Sequence, residues 1–324
     1  MIALSMPFGL NDQKFLLFPR LFALFWFIFN FSSIITFIVY LAVFNGSSFK
    51  GPPLDKISLF CFGASYSVAL VLNILYQYRP IRLLNILEIT FALAGLFAQS
   101  WYLAWWQPPL AQQFGWFLLS SWILSTFYLY GIIHYRKIAW GIFVLPLIIL
   151  LVTLAAFFPP AMDAAGNRIG GLVSNIKTLG LLHVVFLLTA TVVICLGSLA
   201  SFMYLLHSNQ LKLKLAPGKG LAMLSLEKLE TVIRFCIALS FPLLSMGLLL
   251  GLYLMLKNVE KITGWTDPKI IGSSILWLAF LVLIYARYGF HLRGKQLASL
   301  TITVFALLIL CLVLPHDLPQ EVGK

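Results

Sequence analysis

The sequence predicts an all-α fold, a polytopic transmembrane helical bundle of about nine spans. Of its 324 residues, 61% are hydrophobic and only 10% are charged. A water-soluble domain cannot hide that much apolar surface, because a folded globule needs a polar exterior. Apolar runs of about 20 residues, which match the hydrocarbon thickness of a bilayer, recur along the chain. The lipid bilayer is therefore the first partner that the composition predicts.

Nine apolar segments account for the predicted spans, and Pro and Gly residues mark many of the connections between them. Stretches such as GSSFKGPP, QYRPIR, QPPLAQQ, LAPGKG and GWTDP separate the apolar runs, and such residues are typical of turns and loops. The longest polar gap, 207–232, is too short for a separate soluble domain. The segments lie near residues 21–44, 57–77, 83–106, 114–133, 138–158, 178–206, 235–256, 270–287 and 298–314.

The distribution of basic residues predicts the orientation of the chain. Nine spans place the termini on opposite sides, and fourteen of the 22 Lys and Arg residues fall on the side of the N-terminal flank. The side richer in Lys and Arg is normally cytoplasmic. We therefore expect a multi-pass protein of the bacterial cytoplasmic membrane, with the N-terminus inside, the C-terminus outside and the GWTDP loop on the extracytoplasmic face.

The net charge of +12 predicts contact with anionic lipid headgroups and no nucleic acid, since the charges lie in short loops between spans. The four cysteines, Cys61, Cys195, Cys236 and Cys311, all fall inside apolar segments, and no C-x-x-C occurs. This pattern favours small buried hydrophobic residues over a thiol–disulfide carrier or a zinc site.

Two histidines and one acid are the polar residues that need an explanation. His183 and His316 are predicted near the extracytoplasmic surface, where they either share a ligand or are unrelated. Glu88 lies inside the third segment, close to Arg82. A snorkelling or paired carboxylate and a proton relay are both compatible with that position.

Tryptophans cluster at the same predicted level as the two histidines. Trp101, Trp105, Trp106 and Trp116 fall near the outer ends of the third and fourth segments. An interfacial aromatic belt explains them, and the wall of a site for a flat apolar ligand is the alternative. No Ser-His-Asp order, paired catalytic carboxylates, P-loop or G-x-G-x-x-G run occurs, so the sequence does not predict ordinary enzyme chemistry.

The second half of the chain resembles the cytochrome c assembly protein family that includes CcsA and HemX. The most specific stretch is RFCIALSFPLLSMGLLLG followed by the Trp-Asp-Pro-Lys loop, and LLHVVFLLTATVVICLGSLASFMYLL precedes both. LSSWILSTFYLYGIIHYRKIAWGIFVLPLIILLVTLAAFFPP is similar to an earlier pair of spans in HemX-like members. The resemblance implies an N-terminal flank with an additional helix at 1–56, a membrane core at 57–316 and a short extracytoplasmic tail at 317–324.

The resemblance also implies a function and a set of binding residues. In the CcsA branch an external Trp-rich loop binds haem and two external histidines ligate the iron, positions matched here by His183 and His316. Trp265, Asp267 and Lys269 match the loop. We therefore expect haem b, held transiently and delivered to apocytochrome c or a second assembly subunit. The chain would be a carrier or, at most, part of a cytochrome c haem lyase.

The departures from the family pattern keep two alternatives open. Thr266 stands where Trp is common, Tyr285 and Arg287 lie where CcsA-like members carry a histidine, and Gln99 replaces a family histidine. A HemX-like regulator of haem biosynthesis, acting on the level of glutamyl-tRNA reductase, is the first alternative. The second is a structural subunit of a larger membrane complex with a degenerate haem site.

Overall fold

A computed structural model describes residues 59–106, 112–134, 140–158, 178–212, 224–257 and 268–314. All regular secondary structure in these ranges is α-helical. Eight helices are described: α1 Leu59–Tyr78, α2 Arg82–Trp106, α3 Gln113–His134, α4 Trp140–Phe157, α5 Thr178–Lys212, α6 Leu226–Lys257, α7 Pro268–Tyr288 and α8 Lys295–Val313.

Seven of these eight helices are long and apolar enough to cross a membrane, and α4 is a shorter apolar helix. The all-α multi-pass architecture is thereby confirmed over the described ranges. Each helix coincides with one of the last eight predicted segments, while the first predicted segment, 21–44, lies outside the described residues. The total of about nine spans therefore stays a prediction.

Many large apolar side chains are exposed on the outside of the described helices, which a protein in water does not tolerate over many helices. Leu249, Val282 and Leu310 are each about 60% exposed on α6, α7 and α8. In a bilayer these side chains face lipid. The helices α5 and α6 are longer than a span needs: at about 1.5 Å per residue, the 35 residues of α5 extend well beyond a hydrocarbon core of about 30 Å.

Two clusters of buried side chains hold the bundle together. The first lies among α1, α2, α3 and α4 around Phe62, Tyr66, Phe117 and Tyr128. The second lies mainly among α5, α6, α7 and α8 and includes Met203. Helix α5 contributes side chains to both clusters, and so joins the two halves.

Contacts between helix termini define two ends of the bundle. The Gln113 side chain, at the start of α3, reaches the last carbonyls of α8. The Lys295 amine, at the start of α8, donates to Asn209 near the end of α5 at 2.8 Å. We call the end that contains the start of α5 the His183 end, and the opposite end, which contains the end of α7, the Arg287 end.

Candidate functional site

The imidazole of His183 is fixed by one hydrogen bond to the next helix. His183 lies in the second turn of α5, half-buried, with its Nδ1 2.6 Å from the carbonyl oxygen of Gly247 on α6. A carbonyl only accepts, so Nδ1 carries the proton and donates it. The remaining nitrogen, Nε2, then holds the lone pair. This is the arrangement that metal-binding histidines adopt, with the second ring nitrogen oriented by a backbone carbonyl or a carboxylate.

Two glycines of α6 make room for the His183 ring. Gly247 and Gly251 form a G-x-x-x-G pattern, which lets membrane helices approach closely. A Cβ at Gly251 would lie 2.6 Å from His183 Cε1, and a Cβ at Gly247 would lie 2.5 Å from Leu187 Cδ2. His183 and Leu187, one turn apart on α5, therefore occupy a groove that only glycine leaves open.

Lys269 lies close to the same site. It belongs to the first turn of α7, and it is near enough to interact electrostatically with both His183 and Cys311 of α8. A cation at a helix N-terminus opposes the helix dipole, so this lysine does not stabilise its own helix. The structure thus brings the starts of α5 and α7 and the end of α8 to one level.

The end of α8 is held against α3 by one side chain. Gln113 Nε2 donates to the carbonyl oxygens of Val313 at 3.0 Å and Leu314 at 2.6 Å. These carbonyls are among the last of α8 and would otherwise lack partners. Leu314 is also the last described residue, two positions before His316.

An apolar groove of about 280 Å³ opens between α7 and α8 at the His183 end. A Cβ at Gly272 would lie 2.8 Å from Leu314 Cδ1, so Gly272 sets the closest approach of the two helices. The groove suits an acyl chain or the edge of an apolar ring rather than a polar ligand. Its lining comprises Pro268, Ile271, Gly272, Ile275, Leu276, Leu307, Leu310, Cys311 and Leu314.

Two tryptophans of the predicted aromatic cluster have buried indole nitrogens. Among the described residues, Trp101 Nε1 on α2 and Trp116 Nε1 on α3 have no hydrogen-bond acceptor. Trp122, deeper in α3, donates to Ser100 Oγ at 2.8 Å. The two indoles near the His183 end therefore keep buried N–H groups without an acceptor among the described residues.

Gln99 takes part in a polar network inside the α1–α3 interface. The Tyr66 hydroxyl donates to Gln99 Oε1 at 2.8 Å, and Gln99 Nε2 donates to the Leu118 carbonyl at 3.0 Å and to Ser121 Oγ at 2.7 Å. Gln99 has no exposed surface. Both atoms of its amide group are hydrogen-bonded inside the protein, so Gln99 has a structural role in this interface.

Of the five predicted binding residues, His183 and Lys269 lie close to each other. Trp265, Asp267 and His316 lie outside the described residues, and their roles stay predictions. Glu88 was predicted to be a snorkelling or paired carboxylate, with a proton relay as the alternative; the side chain has no exposed surface, so it does not snorkel, and it is paired by hydrogen bonds with Asn73 and Tyr128. Cys195, Cys236 and Cys311 are buried as predicted, whereas Cys61 is exposed; all four are free thiols.

Sequence reasoning missed the residues that orient the predicted ones. Gly247 supplies the hydrogen-bond acceptor for His183, and Gly251 supplies the space. Their G-x-x-x-G spacing in GLLLG was the available signal. Gln113 carried no signal, because a single amide at the start of an apolar run looks like any loop residue.

Comparison with known proteins agrees with the resemblance of the second half of the chain to the cytochrome c assembly protein family. The family model described as cytochrome C assembly protein matches residues 110–315, more than half of the 324-residue chain. The matched range contains His183, Gly247, Gly251 and Lys269, and it starts before α3. No curated protein and no solved structure matches the chain.

Proposed function

The chain belongs to the cytochrome c assembly protein family and is a membrane protein of cytochrome c biogenesis, and from this we propose that it is a haem carrier. In the proposal, His183 and His316 ligate the iron of haem b transiently at the extracytoplasmic face. The loop with Trp265 and Asp267 covers the ring. Haem then passes to apocytochrome c or to a second assembly subunit.

The observation that carries the proposal is the hydrogen bond from His183 Nδ1 to the Gly247 carbonyl. It fixes the tautomer that leaves Nε2 available, and the missing Cβ of Gly251 leaves room for the ring in this orientation. Bound haem would supply an iron centre that histidine imidazoles can ligate. The chain's own contribution is an imidazole oriented before the ligand arrives.

Lys269 fits the acidic edge of the same ligand. A haem carries two propionates, and an ammonium group near the ligating imidazole can pair with one of them. Because Lys269 lies at the start of α7 beside His183 and Cys311, its charge is at the level of the proposed iron ligand. The apolar groove between α7 and α8 begins next to it.

The charge distribution of the bundle supports the proposed orientation. Arg79, Arg82, Arg234, Arg287 and Arg293 all lie at the Arg287 end, together with Lys295. The positive-inside rule assigns that end to the cytoplasm. The His183 end then faces the extracytoplasmic side of a bacterial cytoplasmic membrane, with the N-terminus inside and the C-terminus outside.

The proposal makes the chain a carrier rather than an enzyme. Covalent attachment of haem to a cytochrome uses the thiols of the client, and this sequence contains no C-x-x-C of its own. A reversible pair of imidazole ligands suits handover to a client. At most, the chain supplies the haem-presenting part of a cytochrome c haem lyase.

The test is the absorption spectrum of the full-length protein, purified in detergent and titrated with haem. We expect a bis-imidazole spectrum in wild type and its loss or weakening in His183→Ala and in His316→Ala. His207→Ala is the matched control: His207 also lies on α5, its Nδ1 is 3.0 Å from the Leu224 carbonyl, and it lies at the opposite end. A wild-type spectrum in both test variants would overturn the ligand assignment.

A further inference from the structure

A second polar site lies in the half of the bundle formed by α1–α4, away from His183. Glu88 of α2 has no exposed surface, and its Oε1 accepts hydrogen bonds from Asn73 Nδ2 of α1 at 2.7 Å and from the Tyr128 hydroxyl of α3 at 2.5 Å. Asn73 is 4% exposed and Tyr128 is 1% exposed. An acid is thus enclosed among three helices inside the span.

The site has two oxygen atoms without a partner. Among the described residues, neither Glu88 Oε2 nor Asn73 Oδ1 has a hydrogen bond, although both atoms are buried. With Glu88 ionised, both atoms are acceptors, and no donor serves either of them. A buried acceptor left in this state costs about 1–3 kcal/mol, and a buried unpaired charge costs more.

No described cation neutralises the acid. Of the described titratable side chains on α1, α3 and α4, Tyr128 hydrogen-bonds to the acid. Tyr66 bonds to Gln99 instead, Tyr76 and His134 lie towards the Arg287 end of α1 and α3, and α4 contributes no titratable side chain between Gly141 and Phe157. Arg82, at the start of α2, is exposed, as is Arg79 before it. Hence the acid has neutral partners only, within the part of the chain that the structure describes.

One added proton would supply the hydrogen-bond donor that these two oxygen atoms lack. With a proton on Glu88 Oε2, the carboxylic acid becomes a donor, and the unpartnered Asn73 Oδ1, on the amide that already contacts Oε1, is available as its acceptor. The acid and the amide then form two antiparallel hydrogen bonds, one of which is the observed contact from Asn73 Nδ2 to Glu88 Oε1. Tyr128 continues to donate to Oε1. Every polar atom of the pair is satisfied, as a site in hydrocarbon requires.

We propose that Asn73 and Glu88 form an intramembrane proton-binding site, in which one proton on Glu88 Oε2 is shared with Asn73 Oδ1. An ionisable residue buried in a span is characteristic of proton-handling membrane proteins. Glu88 lies six residues after the start of α2 at Arg82, so the site is nearer the Arg287 end. The ligand of the site is thus a proton from the aqueous phase.

A neighbouring glycine leaves the space in which the Asn73 amide lies. A Cβ at Gly141 of α4 would lie 2.5 Å from both Cγ and Nδ2 of Asn73 and 2.8 Å from its Oδ1. Because Gly141 has no Cβ, the Asn73 amide can pack against α4 while it hydrogen-bonds to Glu88. Gly141→Ala displaces Asn73 without altering the acid, which gives a second way to test the pair.

The test is infrared spectroscopy of the full-length protein at neutral pH, in H2O and in D2O. We expect one C=O stretching band of a protonated carboxylic acid that shifts in D2O and is absent in Glu88→Gln. The amide that this substitution introduces can donate to Asn73 Oδ1 as the acid does, so the variant keeps the hydrogen-bond pattern. Glu227→Gln, at an exposed carboxylate, is the matched control and should keep the band.

Two further arms separate the possible outcomes. Gly141→Ala and Asn73→Ala should retain the band but move its frequency, because the acid loses its amide acceptor. No acid band in wild type, or the same band in Glu88→Gln, overturns the proposal. Disappearance of the band when choline chloride is replaced by sodium chloride also overturns it, since the two oxygens would then bind a metal cation.

Discussion

Substitution of Gly251 by alanine tests the proposed histidine site without removing any ligand. The added Cβ would lie 2.6 Å from His183 Cε1, whereas ordinary van der Waals contact begins at 3.4 Å. The ring must therefore retreat by about 0.8 Å, the difference of these two distances. A retreat of that size along the bond would lengthen the 2.6 Å contact from Nδ1 to the Gly247 carbonyl beyond the usual limit of about 3.2 Å.

The effect of Gly251→Ala on folding stability is the balance of two costs and one gain. Overpacking a tight contact costs about 1–3 kcal/mol, and loss of the hydrogen bond costs about 0.5–1.5 kcal/mol. Against this, alanine gains up to about 1 kcal/mol of helix propensity over glycine. The net effect on folding is therefore a destabilisation of about 0.5–4.5 kcal/mol. The substitution also weakens ligand binding, because loss of an orienting partner typically lowers metal affinity about 10–100-fold.

The assay is haem titration of the purified Gly251→Ala protein, followed by absorption spectroscopy. Gly63→Ala on α1 is the matched control, because its added Cβ would lie 3.5 Å from Val152 Cγ1, an ordinary contact. We expect weakened haem binding in Gly251→Ala and none of that weakening in Gly63→Ala. Equal affinities in the two variants would refute the reasoning that the glycine positions the ring.

Two other substitutions probe the surroundings of His183. Lys269→Gln should weaken haem binding by up to about fivefold, because an ion pair at the protein surface contributes up to about 1 kcal/mol to binding. The difference from wild type should shrink at high salt, while Lys228→Gln at the opposite end has no effect. Gln113→Leu removes both donations to the end of α8 and should cost about 1–3 kcal/mol. We expect amide hydrogen exchange in the variant to be faster than in wild type near Val313 and unchanged near Ala298. The same change from wild type at both places would contradict this prediction.

The spans were predictable because each is an apolar run of membrane length. The starts of α2, α7 and α8 fall within a few residues of the predicted segments, since charged or Pro-containing loops adjoin them. The polar ends of α5 and α6 were harder to place. HSNQLK continues α5, and LEKLE begins α6, as helix beyond the apolar stretch, because helical hydrogen bonding does not stop at the membrane surface.

The partners of polar residues were not predictable from one sequence. Glu88 was found as an intramembrane acid, and the nearby Arg82 made an ion pair reasonable. The actual partners, Asn73 and Tyr128, lie 15 and 40 positions away. Such a contact depends on which helices are neighbours, and that information is absent from hydropathy and composition. The same reason explains why His183 was predicted but its acceptor, Gly247, was not.

Glycine lies against several polar side chains of the described helices, including three that hydrogen-bond to a neighbouring helix. His183 lies against Gly251, Asn73 against Gly141, and Tyr66 against Gly95, where an added Cβ would be 2.9 Å from the ring. In lipid, close helix approach excludes competing polar contacts, so each side chain keeps one hydrogen-bonded geometry.

Because a different glycine lies against each of the two proposed sites, the sites can be tested separately. An added methyl group at Gly251 should alter haem binding and leave the infrared band of Glu88 unchanged. An added methyl group at Gly141 should do the reverse, because the Asn73–Glu88 pair lies in the α1–α4 half and the His183 contact lies between α5 and α6. If each substitution changed both readouts equally, the bundle would respond as one packed unit, and neither glycine could be assigned to a single site.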